Sequence, residues 1–242
     1  MRLGILRSVC WLVLAAVGTN VGGVAMAQDQ AIPETERTAT ARFDESVRES
    51  FFAGFNGDAD QLQKGMKQCE AVLSENPKHA ESMVWLGSGE VFLSGQKFSK
   101  GDVVGGMKYW QQGLDRMNKA AELEPDNIGV LIPRAAVLMP ASRNLPGPIK
   151  QQVLKSVLAD FNRVYETQKD MLDQLGEHPL GELRMGLADV HRSLGDLDQS
   201  REQLEAILKE LPDTDYAKRA EAWLAAKPSA KLMHNCIGCH TK

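Results

Sequence analysis

The sequence predicts an all-α fold of antiparallel helix pairs stacked into a solenoid, followed by a short C-terminal tail of different character. Three observations carry that prediction. From Phe43 onward apolar residues recur at spacings of three and four, as on one face of a helix. No stretch alternates apolar and polar residues in the way a half-buried strand would. Turn chemistry interrupts the helical pattern again and again, at 54–58, 76–77, 95–102, 124–127, 140–148, 176–179, 195–196 and 211–213, which cuts it into about eight helices.

Taken in order, residues 28–42 are polar, contain Pro33 and lack an apolar period, so they read as a flexible lead-in. The helical body is 43–226, a size that allows one large or two small domains. Its second helix carries Cys69 on one face. The third carries Trp85-Leu86-Gly87, and the fourth Leu114, Met117 and Ala120, with an enlarged turn at 97–104 between the two. Pro133 and Pro140 are expected to interrupt the helix that starts near Ile128. Pro146-Gly147-Pro148 then precedes an unusually long run, 149–175. The last pair spans 181–212, and 216–226 reads as a closing helix. Met107, Met117, Met139, Met171 and Met185 fall at helical spacing and read as packing residues.

The punctuation is itself repetitive. Helix pairs ending in Glu75-Asn76-Pro77, Glu124-Pro125-Asp126-Asn127 and Leu211-Pro212-Asp213 resemble tetratricopeptide repeats. The 181–212 segment fits best, with Leu187-Ala188 on the first helix, Gly195-Asp196 at the turn, Ser200 early in the second helix, and Leu204 and Ile207 on its inner face. Arg184 departs from the usual aromatic and His191 from the usual tyrosine. The resemblance implies that stacking builds the core and that a concave face is offered to protein partners.

After Ala226 the pattern changes. Residues 227–242 read as a linker and a tail ending Cys236-Ile237-Gly238-Cys239-His240-Thr241-Lys242. Two thiols at that spacing followed by histidine form the attachment sequence of a c-type haem. Cys236 and Cys239 would be the thioether anchors of one covalent haem c, and His240 the proximal iron ligand. The first 27 residues supply a fitting compartment. Arg2 and Arg7 precede an apolar stretch that closes in Ala25-Met26-Ala27, as in a secretory signal cleaved after Ala27. An uncleaved membrane anchor is the competing reading of that stretch. The expected location is periplasmic or secreted, with no integral span once the signal is removed.

Other chemistry stays open for the tail. A Cys-x-x-Cys pair also serves as a redox dithiol, or gives ligands to zinc with His234 or His240. Within the haem reading the sixth ligand is undetermined. Met233 and His234 lie close to the anchors, His191 reaches only if the tail folds back on the repeat, and His79 and His178 read as turn residues near solvent. An attachment site at the end of a helical body resembles class II cytochromes. A class I cytochrome places most of its domain after the site, whereas only Thr241 and Lys242 follow here, so cover for the haem is expected from upstream helices or another molecule.

Removing a leader with two arginines and no acid moves the formal net charge from −4 to −6, which argues against nucleic-acid or anionic-membrane binding. With two of the three remaining cysteines in the tail, Cys69 reads as a lone buried thiol. There is no phosphate-binding glycine loop, nucleophile elbow or zinc-hydrolase helix, so no catalytic residue is assigned. The expected function is that of an exported monohaem electron carrier, not an enzyme, whose repeat docks redox or assembly partners. The alternative is a periplasmic scaffold whose tail is a sensor, metal or dithiol site. Pairing of two copies to hide their haems stays open.

Overall fold

The structure, a computed structural model, describes residues 42–227 together with Ala230, Leu232 and His234. Residues 1–27, most of 28–42, and Met233, Cys236, Cys239 and His240 lie outside the described residues. Among the described residues there is no strand. The helices are α1 (Phe43–Phe55), α2 (Ala59–Glu75), α3 (Ala80–Ser99), α4 (Val103–Leu123), α5 (Ile128–Ser142), α6 (Gly147–Gln168), α7 (Glu177–Leu194), α8 (Leu197–Glu210) and α9 (Asp215–Ala225).

Local chemistry sets the helix starts. Asp58, Asp102, Asn127, Asp196 and Thr214 each stand just before a helix and accept a first-turn N–H through the side chain. His79 does the same for α3, its Nδ1 accepting from the Ser82 N–H at 3.1 Å. Gly195, at φ +90°, ends α7 in the left-handed conformation that a side chain resists.

Helices α1 and α2, α3 and α4, α5 and α6, and α7 and α8 form antiparallel hairpins, while α1, α3 and α5 lie side by side and α9 closes against α8. This is the expected α-solenoid of helix pairs. At the α3–α4 crossing a Cβ on Gly87 would fall 2.7 Å from the Gly113 carbonyl oxygen, and one on Gly113 equally close to that of Gly87, so the two backbones meet directly. One core runs from α1 to α7 through Val47, Phe51, Met117, Leu138 and Leu154. A second joins α7, α8 and α9 through Met185, Leu204, Ile207 and Trp223. Helix α7 stands between them, giving Leu183, Leu187 and Val190 to the first and Leu180, Met185 and Ala188 to the second. The small Ser200 donates its Oγ–H to the Ala188 carbonyl at 2.8 Å, which explains its place in the repeat pattern.

Four expectations are corrected. The turn at 97–104 is not enlarged: α3 and α4 are lengthened to 20 and 21 residues and only three residues separate them. Helix α5 continues through Pro133 and Pro140. Pro133 has no N–H for the Gly129 carbonyl, but burial of Val130, Leu131, Ala135, Leu138 and Met139 outweighs the missing bond. The long run 149–175 breaks after Gln168 into a 3₁₀ segment, Lys169–Gln174, with Met171 at non-helical φ and ψ. Met117, Met139 and Met185 are buried, whereas Met107 is 53% and Met171 44% exposed and neither is core.

Arg184, which departs from the repeat pattern, is buried and held by partners on two other helices. Its guanidinium lies over the Tyr165 ring at 5.1 Å and binds Glu210 with two bonds of 3.0 and 2.7 Å.

Candidate functional site

Residues 178, 182, 185, 189 and 192 recur at helical spacing and share one face of α7. Four of them are polar, and three hold the segment that follows α9. Arg192 donates to the Lys227 carbonyl at 2.8 Å. The Asp189 carboxylate accepts the His234 N–H at 3.0 Å. Glu182 lies 3.0 Å from the His234 Nε2. Lys227 is thus held nearer the C-terminal end of α7 and His234 nearer its N-terminal end.

His234 is 4% exposed and sits in a cage of charged groups. Arg143 donates both to Asp189 at 3.1 Å and to the His234 carbonyl at 2.7 Å. Arg219 approaches His234 Nδ1 at 3.1 Å. Burial pushes the Asp189 carboxyl up, opposed by the His234 N–H and the Arg143 charge. Leu232 adds an apolar contact with the second core.

The hydrogen-bond partners assign the protons. Arginine only donates, so His234 Nδ1 accepts from Arg219 and Nε2–H donates to Glu182. Tyr216 gives its one hydroxyl proton to Glu182 Oε1 at 2.7 Å. Its oxygen, 2.8 Å from His178 Nδ1, then accepts from that nitrogen. The Tyr216 ring reaches this position because residue 181 is glycine; a Cβ there would meet the ring at 2.5 Å.

Glu182 and His178 also line a groove of ≈ 440 Å³ whose walls include Trp85, Ile132, Phe161 and Leu183. The groove is mainly apolar with a few polar groups, the usual character of a ligand site. The buried Trp85 Nε1–H on its wall has no hydrogen-bond partner, and a buried donor left unmatched costs stability unless a ligand satisfies it. At the α1 edge Arg42 and Arg48 both bind Asp44, at 3.0 and 3.3 Å, leaving an excess of positive charge there.

The residues singled out in the sequence fare differently. Cys236, Cys239 and His240 lie outside the described residues, and no cluster of metal-binding side chains exists among the described ones. His234 is committed to Glu182 and Arg219 through both ring nitrogens. His191 lies on the opposite face of α7 from the 178–192 stripe, its Nδ1 3.6 Å from Asp196. His79 caps α3. Cys69 is fully buried, as expected, and burial first, with Glu70 nearby, pushes its thiol up to about 12. Sequence reasoning missed Glu182, Asp189, Arg143, Arg219 and Tyr216. The available signal was a polar stripe on a helix otherwise apolar on both sides.

No family model matches the chain, and no curated protein matches it. Among solved structures the chain is similar to a thermophilic TPR protein, TTC0263 of Thermus thermophilus, at 20% identity and a TM-score of 0.49, over 74% of this chain and 78% of that one. Among the described residues no helix is long and apolar enough to cross a membrane.

Proposed function

We propose that the chain is an exported monohaem c-type cytochrome, with haem c attached through Cys236 and Cys239 and His240 as proximal iron ligand, working in electron transfer within a periplasmic complex. One observation supports this above the others: the attachment sequence begins two residues after His234, which the helical body grips through Asp189, Arg143, Glu182 and Arg219. A tail meant only to dangle has no use for a buried, four-sided anchor.

The residues present fit the group. A bound haem supplies one-electron chemistry at iron, tuned by its axial ligands and its cover. Cys236, Cys239 and His240 have the donor types that haem c attachment and ligation need, and the groove on whose wall His234 meets Glu182 is lined mainly by apolar side chains, with Arg42 and Arg48 at its edge, where haem carboxylates would be balanced. The remaining face of the solenoid is left to dock protein partners. The test is mass and visible absorbance of the mature chain made in a strain with haem-attachment machinery. One covalent haem is expected; an unmodified mass with no visible band rejects the reading.

A second reading, a periplasmic scaffold, rests on the groove itself, since an apolar channel along paired helices also suits a partner's segment. Replacing Cys236 and Cys239 with alanine separates the two. A scaffold keeps its partner, and an electron carrier loses turnover.

A further inference from the structure

We infer that one edge of the solenoid, centred on the tip of the α3–α4 hairpin, docks on the surface of a lipid bilayer that carries anionic headgroups. The inference goes beyond the cytochrome reading and does not rest on it, since neither the groove nor the C-terminal segment takes part.

Topology comes first. Successive helices run antiparallel through short connections, so the turns that follow α1, α3, α5 and α7 gather at one edge. Eight large apolar side chains are exposed among the described residues, and six of them stand in or beside those turns: Phe98, Val103, Val104, Met107, Ile149 and Leu197. The α3–α4 hairpin leads this edge. The Phe55 ring at the end of α1 packs on Phe92 with ring centres 5.0 Å apart, and α3 continues seven residues past Phe92, about 10 Å of helix. The tip beyond carries Val103 and Val104 at 60% and 83% exposure. Apolar groups on a projecting tip gain nothing from folding, so a cluster of them marks a surface that something else covers.

Charge comes second and names the cover. The formal charge of the chain, −4, points away from anionic membranes, but it is not spread evenly. Over 91–114 and 146–159 the sequence holds Lys97, Lys100, Lys108, Lys150 and Lys155 against a single acid, Asp102. Lys97 pairs with that acid at 3.0 Å, which leaves Lys100 and Lys108 as exposed surplus cations around the valines and Met107. Aliphatic side chains ringed by lysines suit a bilayer interface: the apolar groups enter the acyl boundary while the ammonium groups reach back to headgroup phosphates. A protein partner is the poorer match, because lysine is depleted from protein interfaces.

Backbone comes third. A turn that faces lipid has to satisfy its own amides. The N–H groups of Lys100 and Asp102 donate to the Lys97 carbonyl, that of Gly101 to the Phe98 carbonyl, and that of Gly106 to the Asp102 carbonyl, at 2.9–3.1 Å. The Gly105 N–H donates to the Asp102 carboxylate at 2.9 Å. Gly101, at φ +77°, makes the tight reversal possible.

The test uses residues 28–242, which contain every described residue and lack the apolar leader. Binding is read by co-sedimentation with vesicles of equal parts phosphatidylcholine and phosphatidylglycerol, and with vesicles of phosphatidylcholine alone. Wild type is expected to bind the mixed vesicles and to be released by salt. Val104→Asp is expected to weaken binding about tenfold, and Lys100→Ala about fivefold. Met171→Asp, in the α6–α7 connection at the opposite edge, is expected to bind like wild type. Circular dichroism checks each fold, and an acid at position 104 suits the first turn of α4. Val104→Trp reads insertion directly, since its added emission should be quenched by lipids brominated on their acyl chains. Failure of wild type to bind the mixed vesicles overturns the inference, as does equal weakening by Met171→Asp and Val104→Asp. Self-association that Val104→Asp abolishes, without vesicle binding, overturns it in favour of a second copy as the cover. None of these results bears on the cytochrome reading, which covalent mass decides separately.

Discussion

Replacing Asp189 by alanine is expected to release the C-terminal segment from α7 while leaving the solenoid folded. The carboxylate is 2% exposed and accepts from the His234 N–H at 3.0 Å, from Arg143 at 3.1 Å and from Ser193 at 3.4 Å. The His234 bond is charge-assisted and contributes about 1.5–3 kcal/mol. Arg143, whose side chain is 24% exposed, turns to water when its partner is lost, so its share is nearer 1 kcal/mol. The Ser193 contact is too long to add much. Together the docked segment loses about 3 kcal/mol, roughly a 150-fold shift toward the open form. Helix α7 itself loses less, because removing the carboxylate also removes the desolvation that pushes its titration up. Amide hydrogen exchange distinguishes the two levels: the amides of Leu232 and His234 should lose protection by about two orders of magnitude, and that of Leu138 should be nearly unchanged. Equal loss at all three sites, or no loss at His234, would refute the idea of a separately latched segment.

Two further outcomes follow from packing and titration. Gly87→Ala should lower the melting transition by the equivalent of about 1–3 kcal/mol through overpacking at the α3–α4 crossing. Gly95→Ala in the same helix, with nothing within 4 Å of the new methyl, should raise it by about 0.5–1 kcal/mol; melts of the two variants in opposite directions check the pair. Cys69, buried and with its thiol pushed up to about 12, should resist iodoacetamide at pH 8 in the folded chain and react after denaturation, as read by mass. Labelling of Cys69 in native protein at the rate of a free thiol would contradict its burial.

Much of the fold was legible because its signals are local. The acidic-Pro and Gly-Asp turns mark helix ends by backbone chemistry alone, and Leu187, Ala188, Ser200, Leu204 and Ile207 face inward as their spacing requires. Pro133 and Pro140 misled because their cost is local while the compensating burial is tertiary. Met107 and Met171 misled because helical spacing says which residues share a face, not whether a neighbour covers that face. The latch at His234 was illegible for a different reason. Its partners, Arg143, Glu182, Asp189 and Arg219, are spread over the chain, and each reads alone as an ordinary surface charge. His178 read as a turn residue near solvent, and it is exposed in the first turn of α7. Its bond to Tyr216, 38 residues away, has no counterpart in the sequence pattern.

The placement of Cys69 bears on how the chain matures. It belongs to the first hairpin and is buried in one core with Val47, Phe51 and Leu62. Once the helices have closed over it, Cys69 is withdrawn from thiol exchange, and a pairing of Cys236 or Cys239 with it requires that core to open first.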